Sequence, residues 1–143
     1  MNKRLRKKRH SGEFAVFGFH VEFVTKERLA WSLDGDLDGP GSRLSEDLDE
    51  WAHARGWCAA PGGDGRRWGC FITPERCNMP NPGLSEKERD AIVAHIRALA
   101  EVAQVVAGPL VDAFGHSAAE WRTFCEEADA AFGPRGPVVG DLR

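Results

Sequence analysis

Phe17-Gly18-Phe19-His20-Val21-Glu22-Phe23-Val24 sets the fold of this chain. Phe17, Phe19, Val21 and Phe23 fall on one side of an extended backbone, and Gly18, His20, Glu22 and Val24 on the other, since successive side chains of a strand point to opposite faces. This is the strongest strand signal in the sequence, and it predicts one sheet face built of large apolar groups. Helices with apolar stripes are the natural cover for such a face.

Working outward, Leu44, Leu48, Trp51, Ala52 and Arg55 recur at helical spacing until Gly56. Residues 25–43 are less decided: Leu29 to Leu33 extend a strand or begin a helix, and the Gly- and Asp-rich Asp34 to Ser42 reads as a loop. Trp57–Ala60 and Arg67–Thr73 are short strand-like runs. The turn-rich Pro61-Gly62-Gly63-Asp64-Gly65 between them predicts a β-hairpin. After a proline-bearing loop, Ser85-Glu86-Lys87-Glu88 has the form of a capping box that opens a helix with Ile92, Ile96 and Leu99 on one face. Val102 to Val111 is valine-rich and broken by Gly108-Pro109, which suggests an edge strand with a bulge or break. Ser117 to Glu120 forms a second capping box. The helix behind it carries Trp121, Phe124, Cys125, Ala128 and Phe132 on one stripe, and Gly133-Pro134 ends it.

The order up to residue 111 is β-α-β-β-α-β. It predicts an α+β fold of the ferredoxin-like, split-βαβ kind: one antiparallel sheet packing two helices on one face, with an added C-terminal helix. The organisation expected is a basic, disordered arm over 1–12, an α+β domain over 13–114, and a C-terminal helix and tail over 115–143. At 143 residues, 42% hydrophobic and 29% charged, the chain has the profile of one ordinary soluble domain.

The net charge of −3 conceals a sharp asymmetry. Lys3, Arg4, Arg6, Lys7, Lys8 and Arg9 are six of the 19 basic residues, and no acid lies among residues 1–10, so the arm carries +6. The remaining 13 bases face 22 acids, which leaves the body at −9. A polyanion would be met by the arm and repelled by the body. Six cations within ten residues, without apolar partners, favour a disordered arm that contacts phosphates. Arg66 and Arg67 at the hairpin turn, beside Trp68, are candidates for a second RNA contact; the competing reading makes Trp68 core and the arginines ordinary surface.

Other chemistries find little support. Asp34-x-Asp36-x-Asp38-Gly39 matches the first half of an EF-hand loop, but Ser45 stands where the bidentate Glu is needed, so a solvated acidic loop is expected. Cys58, Cys70, Cys77 and Cys125 contain no C-x-x-C pair and read as reduced, buried thiols rather than a zinc site. Ser11 beside His10 lies in the arm, too mobile to preorganise a nucleophile, and no hydrolase, Walker A or zincin motif occurs. Glu22 and His20 interrupt Phe14 to Val24, so the basic start is not read as a signal peptide. A non-enzymatic cytoplasmic protein is expected, with no cofactor, no small-molecule substrate and no membrane span.

The stretch Asn2-Lys3-Arg4-Leu5-Arg6-Lys7-Lys8-Arg9-His10, followed by Glu13-Phe14 and Gly18-Phe19, resembles the start of the YggL family of bacterial proteins that bind the large ribosomal subunit. Arg55-Gly56, the hairpin Gly62-Gly63-Asp64-Gly65-Arg66-Arg67-Trp68, Phe71 and Leu84-Ser85 continue the likeness, over roughly residues 2–113. Residues 25–43 depart from the pattern, and the segment from about 115 onward reads as an extension. The resemblance implies association with the 50S subunit and brings no catalytic residues. The polyanion it points to is ribosomal RNA, held by Lys3, Arg4, Arg6, Lys7, Lys8, Arg9 and His10, with Arg66 and Arg67 as the second contact. The acidic body suits a basic ribosomal protein. The rival reading is a protein–protein adaptor that acts through that body or the C-terminal helix, with no RNA role.

Overall fold

A computed structural model describes residue 4 and residues 16–32, 38–75, 83–115 and 118–134. Among the described residues, nine elements follow one another: β1 (Phe17–Thr25), α1 (Pro40–His53), β2 (Trp57–Cys58), β3 (Gly62–Gly63), β4 (Arg67–Pro74), α2 (Glu86–Ala98), β5 (Val102–Ala107), β6 (Val111–Asp112) and α3 (Ala118–Phe132). The strands form one open sheet in the order β2-β4-β1-β5, with β3 also on β4 and β6 also on β1. Every pairing is antiparallel. The fold is therefore α+β, as the order of the elements predicts.

Phe19, Val21 and Phe23 are fully buried. They share a core with Trp68 and Ile72 of β4, Leu44, Leu48 and Ala52 of α1, and Ile92 and Ile96 of α2. Burying each large apolar side chain contributes roughly 1.5–3 kcal/mol, so this face is the main source of cohesion. Phe17 departs from the pattern: it begins the strand and stays 43% exposed.

The other face of β1 is covered as well. His20 and Glu22 are 9% and 5% exposed, because α3 lies over them. The rings of Trp121 and Phe124 sit 4.6 and 5.3 Å from that of His20. Helices α1 and α2, the sheet, and α3 thus form three layers.

Residues 28–32 are neither strand nor helix. Their backbone groups serve other segments: the Leu29 amide donates to Gly65 O at 2.7 Å, and Ala30 and Trp31 carbonyls accept from the amides of Gly41 and Gly39. α1 begins earlier than its apolar spacing indicates, at Pro40 rather than after Ser42. Proline at the first helical position has no amide to leave unpaired and a φ already suited to a helix.

The hairpin has an interrupted ladder. β2 pairs Trp57 with Pro74 and Cys58 with Thr73, and β3 pairs Gly62 with Gly69 and Gly63 with Trp68. Gly65 turns the chain at φ +99°, where the left-handed backbone favours glycine. The capping box of α2 is complete: the Glu88 amide donates to Ser85 Oγ at 3.1 Å, and the Ser85 amide donates to Glu88 Oε1 at 3.0 Å. Ser117, the cap proposed for α3, lies outside the described residues. The break at Gly108-Pro109 separates β5 from β6, and both strands pair with β1.

Candidate nucleic-acid interface

The turn at residues 64–66 positions the second pair of candidate cations. Asp64 Oδ1 accepts hydrogen bonds from the amides of Arg66 and Arg67, both at 2.9 Å. Desolvation pushes this carboxyl up, but the amide bonds from Arg67 and Arg66 and the charge of Arg28 outweigh it, so its pKa lies below the ordinary aspartate value. Asp64 is an anionic clamp that fixes where β4 begins.

From that clamp the two neighbouring arginines diverge. Arg66 is exposed. Arg67 turns inward, with a side chain only 14% exposed. Its Nε donates to Glu22 Oε1 at 2.9 Å, its Nη2 to Asp129 Oδ1 at 2.6 Å and its Nη1 to the Gly133 carbonyl at 3.0 Å. The guanidinium also lies 5.4 Å from the centre of the Phe132 ring. Arg67 thus ties α3 to the sheet, and each of its guanidinium nitrogens has an internal acceptor. Trp68 is fully buried against Phe23 and Trp31, with ring centroids 6.3 and 4.9 Å away. It belongs to the core and presents no stacking surface at the hairpin. Its indole Nε1 has no hydrogen-bond partner among the described residues.

Arg4 is exposed. Lys3, Arg6, Lys7, Lys8, Arg9 and His10 lie outside the described residues, as do Asp34, Asp36 and Cys77. The exposed surface of α1 carries Glu46, Asp47, Asp49 and Glu50, which suits a basic partner and disfavours a phosphate backbone. A groove of about 530 Å³ between α1 and α2 is lined by Leu44, Leu48, Trp51, His95 and Leu99, with Asp47 and Glu101 among its polar groups. His95 stacks on Trp51 with centroids 3.7 Å apart. Desolvation, and then the charge of Arg55, hold its pKa below the ordinary histidine value.

No group of three or more His, Cys, Asp or Glu able to hold a metal occurs among the described residues. Cys58 is exposed, which corrects the expectation of buried thiols, while Cys70 and Cys125 are half-buried. Cys58 stands opposite Thr73, and Cys70 opposite Val21, so the hairpin register does not pair the two cysteines. Burial, and then Asp49, push the Cys70 thiol up to about 12, so at neutral pH it is neither a nucleophile nor a ready ligand. No helix among the described residues is long and apolar enough to cross a membrane.

Sequence reasoning reaches the arm from charge alone but misses the Arg67–Glu22–Asp129 cluster. Its members are 45 and 62 residues apart, and no local pattern announces such a contact. No curated protein matches the chain, and no solved structure does. The family model described as YggL 50S ribosome-binding protein matches residues 3–115. That span starts within the basic arm, runs through the hairpin and α2, and stops before α3. The chain belongs to the YggL 50S ribosome-binding protein family.

Proposed function

We propose that this protein associates with the large ribosomal subunit without catalysing a reaction, and that its basic arm lies on ribosomal RNA. The observation that carries this reading is the arm's charge of +6, set against a body at −9 and lying largely inside the region matched to a 50S-binding family. Lys3, Arg4, Arg6, Lys7, Lys8 and Arg9 neutralise phosphates, and His10 adds a donor. Arginines fork onto phosphate oxygens or stack on bases, whereas lysines act as point charges. Arg66, exposed beside the Asp64 turn, is the second contact. Arg67, with its guanidinium committed internally, has a structural role while α3 is in place. The acidic surface of α1 turns away from RNA and toward a basic ribosomal protein.

Such a protein works in the cytoplasm, where ribosomes are. The strand order β2-β4-β1-β5, with α1 and α2 on one face, supports a split-βαβ reading of the core, to which β3, β6 and α3 are additions. Sedimentation of a cell lysate through sucrose at low salt tests the function. The full chain is expected with the large subunit, and recovery only at the top of the gradient contradicts the reading.

A further inference from the structure

The sheet face beneath α3 is unlike an ordinary core. Along β1 and β4 it presents His20, Glu22, Phe71 and Arg67. His20 and Phe71 are register partners on adjacent central strands, with ring centroids 4.6 Å apart. Arg67 lies four residues before Phe71 on the same strand, and hence on the same face. Aromatic rings on neighbouring central strands, with a guanidinium beside them, can stack unpaired bases and hold the phosphates between them.

What occupies this face imitates such a ligand. Trp121 and Phe124 place two rings against His20, and the Asp129 carboxylate takes Arg67 Nη2 as a phosphate oxygen would. The cover buries little of itself: of α3 only Phe124 and Ala128 are buried, and Trp121 remains 45% exposed. The cover is also separable from the family region, because the match ends at residue 115 and α3 starts at Ala118.

We infer that this second sheet face is a binding surface for single-stranded RNA, closed in the described state by α3. Trp121 and Phe124 occupy the base-stacking positions, and Asp129 occupies the guanidinium. When α3 lifts, Arg67 keeps Glu22 on Nε and presents Nη1 and Nη2 to a phosphate, while His20 and Phe71 become the stacking platform. The surface is distinct from the arm and does not depend on it. The two also differ in physics: phosphate contacts by the arm weaken steeply with salt, whereas stacking does not rely on counterion release.

The test uses the full chain and a fluorescent oligoadenylate at about 300 mM salt, where the contribution of the arm is suppressed. Asp129→Asn removes the carboxylate charge with little change of shape, and Phe124→Ala removes a ring of the cover. The double variant is expected to bind about tenfold more tightly than the unmodified chain, because weakening the closed state raises the share of chain able to bind. Asp129→Asn alone gives a smaller gain in the same direction, and adding Phe71→Leu abolishes the gain in either background. Unchanged affinity in Asp129→Asn, or a gain that survives Phe71→Leu, overturns the proposal. The first of these outcomes decides the matter even where the double variant fails to fold.

Discussion

Arg67 and Asp129 meet across 62 positions of sequence, Nη2 to Oδ1, at 2.6 Å. This contact joins the last helix to the strand that follows the hairpin turn. Because Arg67 also holds the buried Glu22 through Nε, the two partners of the arginine differ in consequence. Replacing Arg67 by Ala removes the ion pair made to a Glu22 carboxylate at 6% exposure, with an expected loss of about 3–5 kcal/mol, the usual cost of breaking a buried pair from one side. Asp129 is 39% exposed, so Asp129→Ala costs only about 1 kcal/mol. Urea denaturation of the two variants checks this ordering, and equal losses contradict it.

The apolar face of β1 predicts a graded series. Phe23→Ala removes a fully buried ring stacked toward Trp68 and is expected to cost about 3–5 kcal/mol. Phe17→Ala, at a site 43% exposed, should cost well under half as much, because most of the penalty comes from the cavity and the lost burial. The midpoints of chemical denaturation report both values.

That face shows which parts of the fold are legible in sequence. β1, α2 and the hairpin are local: a period of two, a Ser85–Glu88 box and a glycine-rich turn each specify their own element. The destination of α3 is not local. Its stripe of Trp121, Phe124 and Ala128 shows that one side must be buried, but nothing near those residues indicates the back of β1, about a hundred positions upstream. Residues 28–32 are opaque for a related reason, since their backbone partners are Gly65, Gly39 and Gly41. The candidate site divides in the same way. The arm is visible as a charge run, whereas Arg66 and Arg67 read identically in sequence, and only the sheet and α3 distinguish an exposed cation from a buried one.

Asp64 gives the turn a pH signature. Its folded pKa lies below the ordinary aspartate value because amide hydrogen bonds from Arg67 and Arg66, with Arg28, outweigh the desolvation that raises it. A depressed carboxyl contributes stability that is present above its unfolded pKa and is lost as pH falls through the folded pKa. Asp64→Ala is therefore expected to lose about 1 kcal/mol at neutral pH, a figure kept small by exposure. The gap to the unmodified chain should close in acid. Thermal melts of both proteins between neutral and strongly acidic pH show this convergence, and a gap that widens in acid is the contrary result.

Cys70 should be chemically silent in the folded protein. Burial and Asp49 push its thiol up to about 12, so almost no thiolate forms at neutral pH. Thiol labelling followed by peptide mass spectrometry is expected to modify the exposed Cys58 while Cys70 remains unlabelled until denaturant is added. Rapid labelling of Cys70 in the native state contradicts a thiol held in its protonated form.

The most direct test of the central claim is the affinity of the purified chain for purified 50S subunits across a salt series. It is measured beside a full-length variant in which Lys3, Arg4, Arg6, Lys7, Lys8 and Arg9 are replaced by glutamine. The account predicts that the logarithm of the unmodified chain's affinity falls with the logarithm of salt at a slope on the order of −4 to −5, from about −0.7 to −0.9 per neutralised phosphate. The variant should lose most of both the affinity and the slope. Equal binding by the two proteins, or a slope that survives in the variant, contradicts the account.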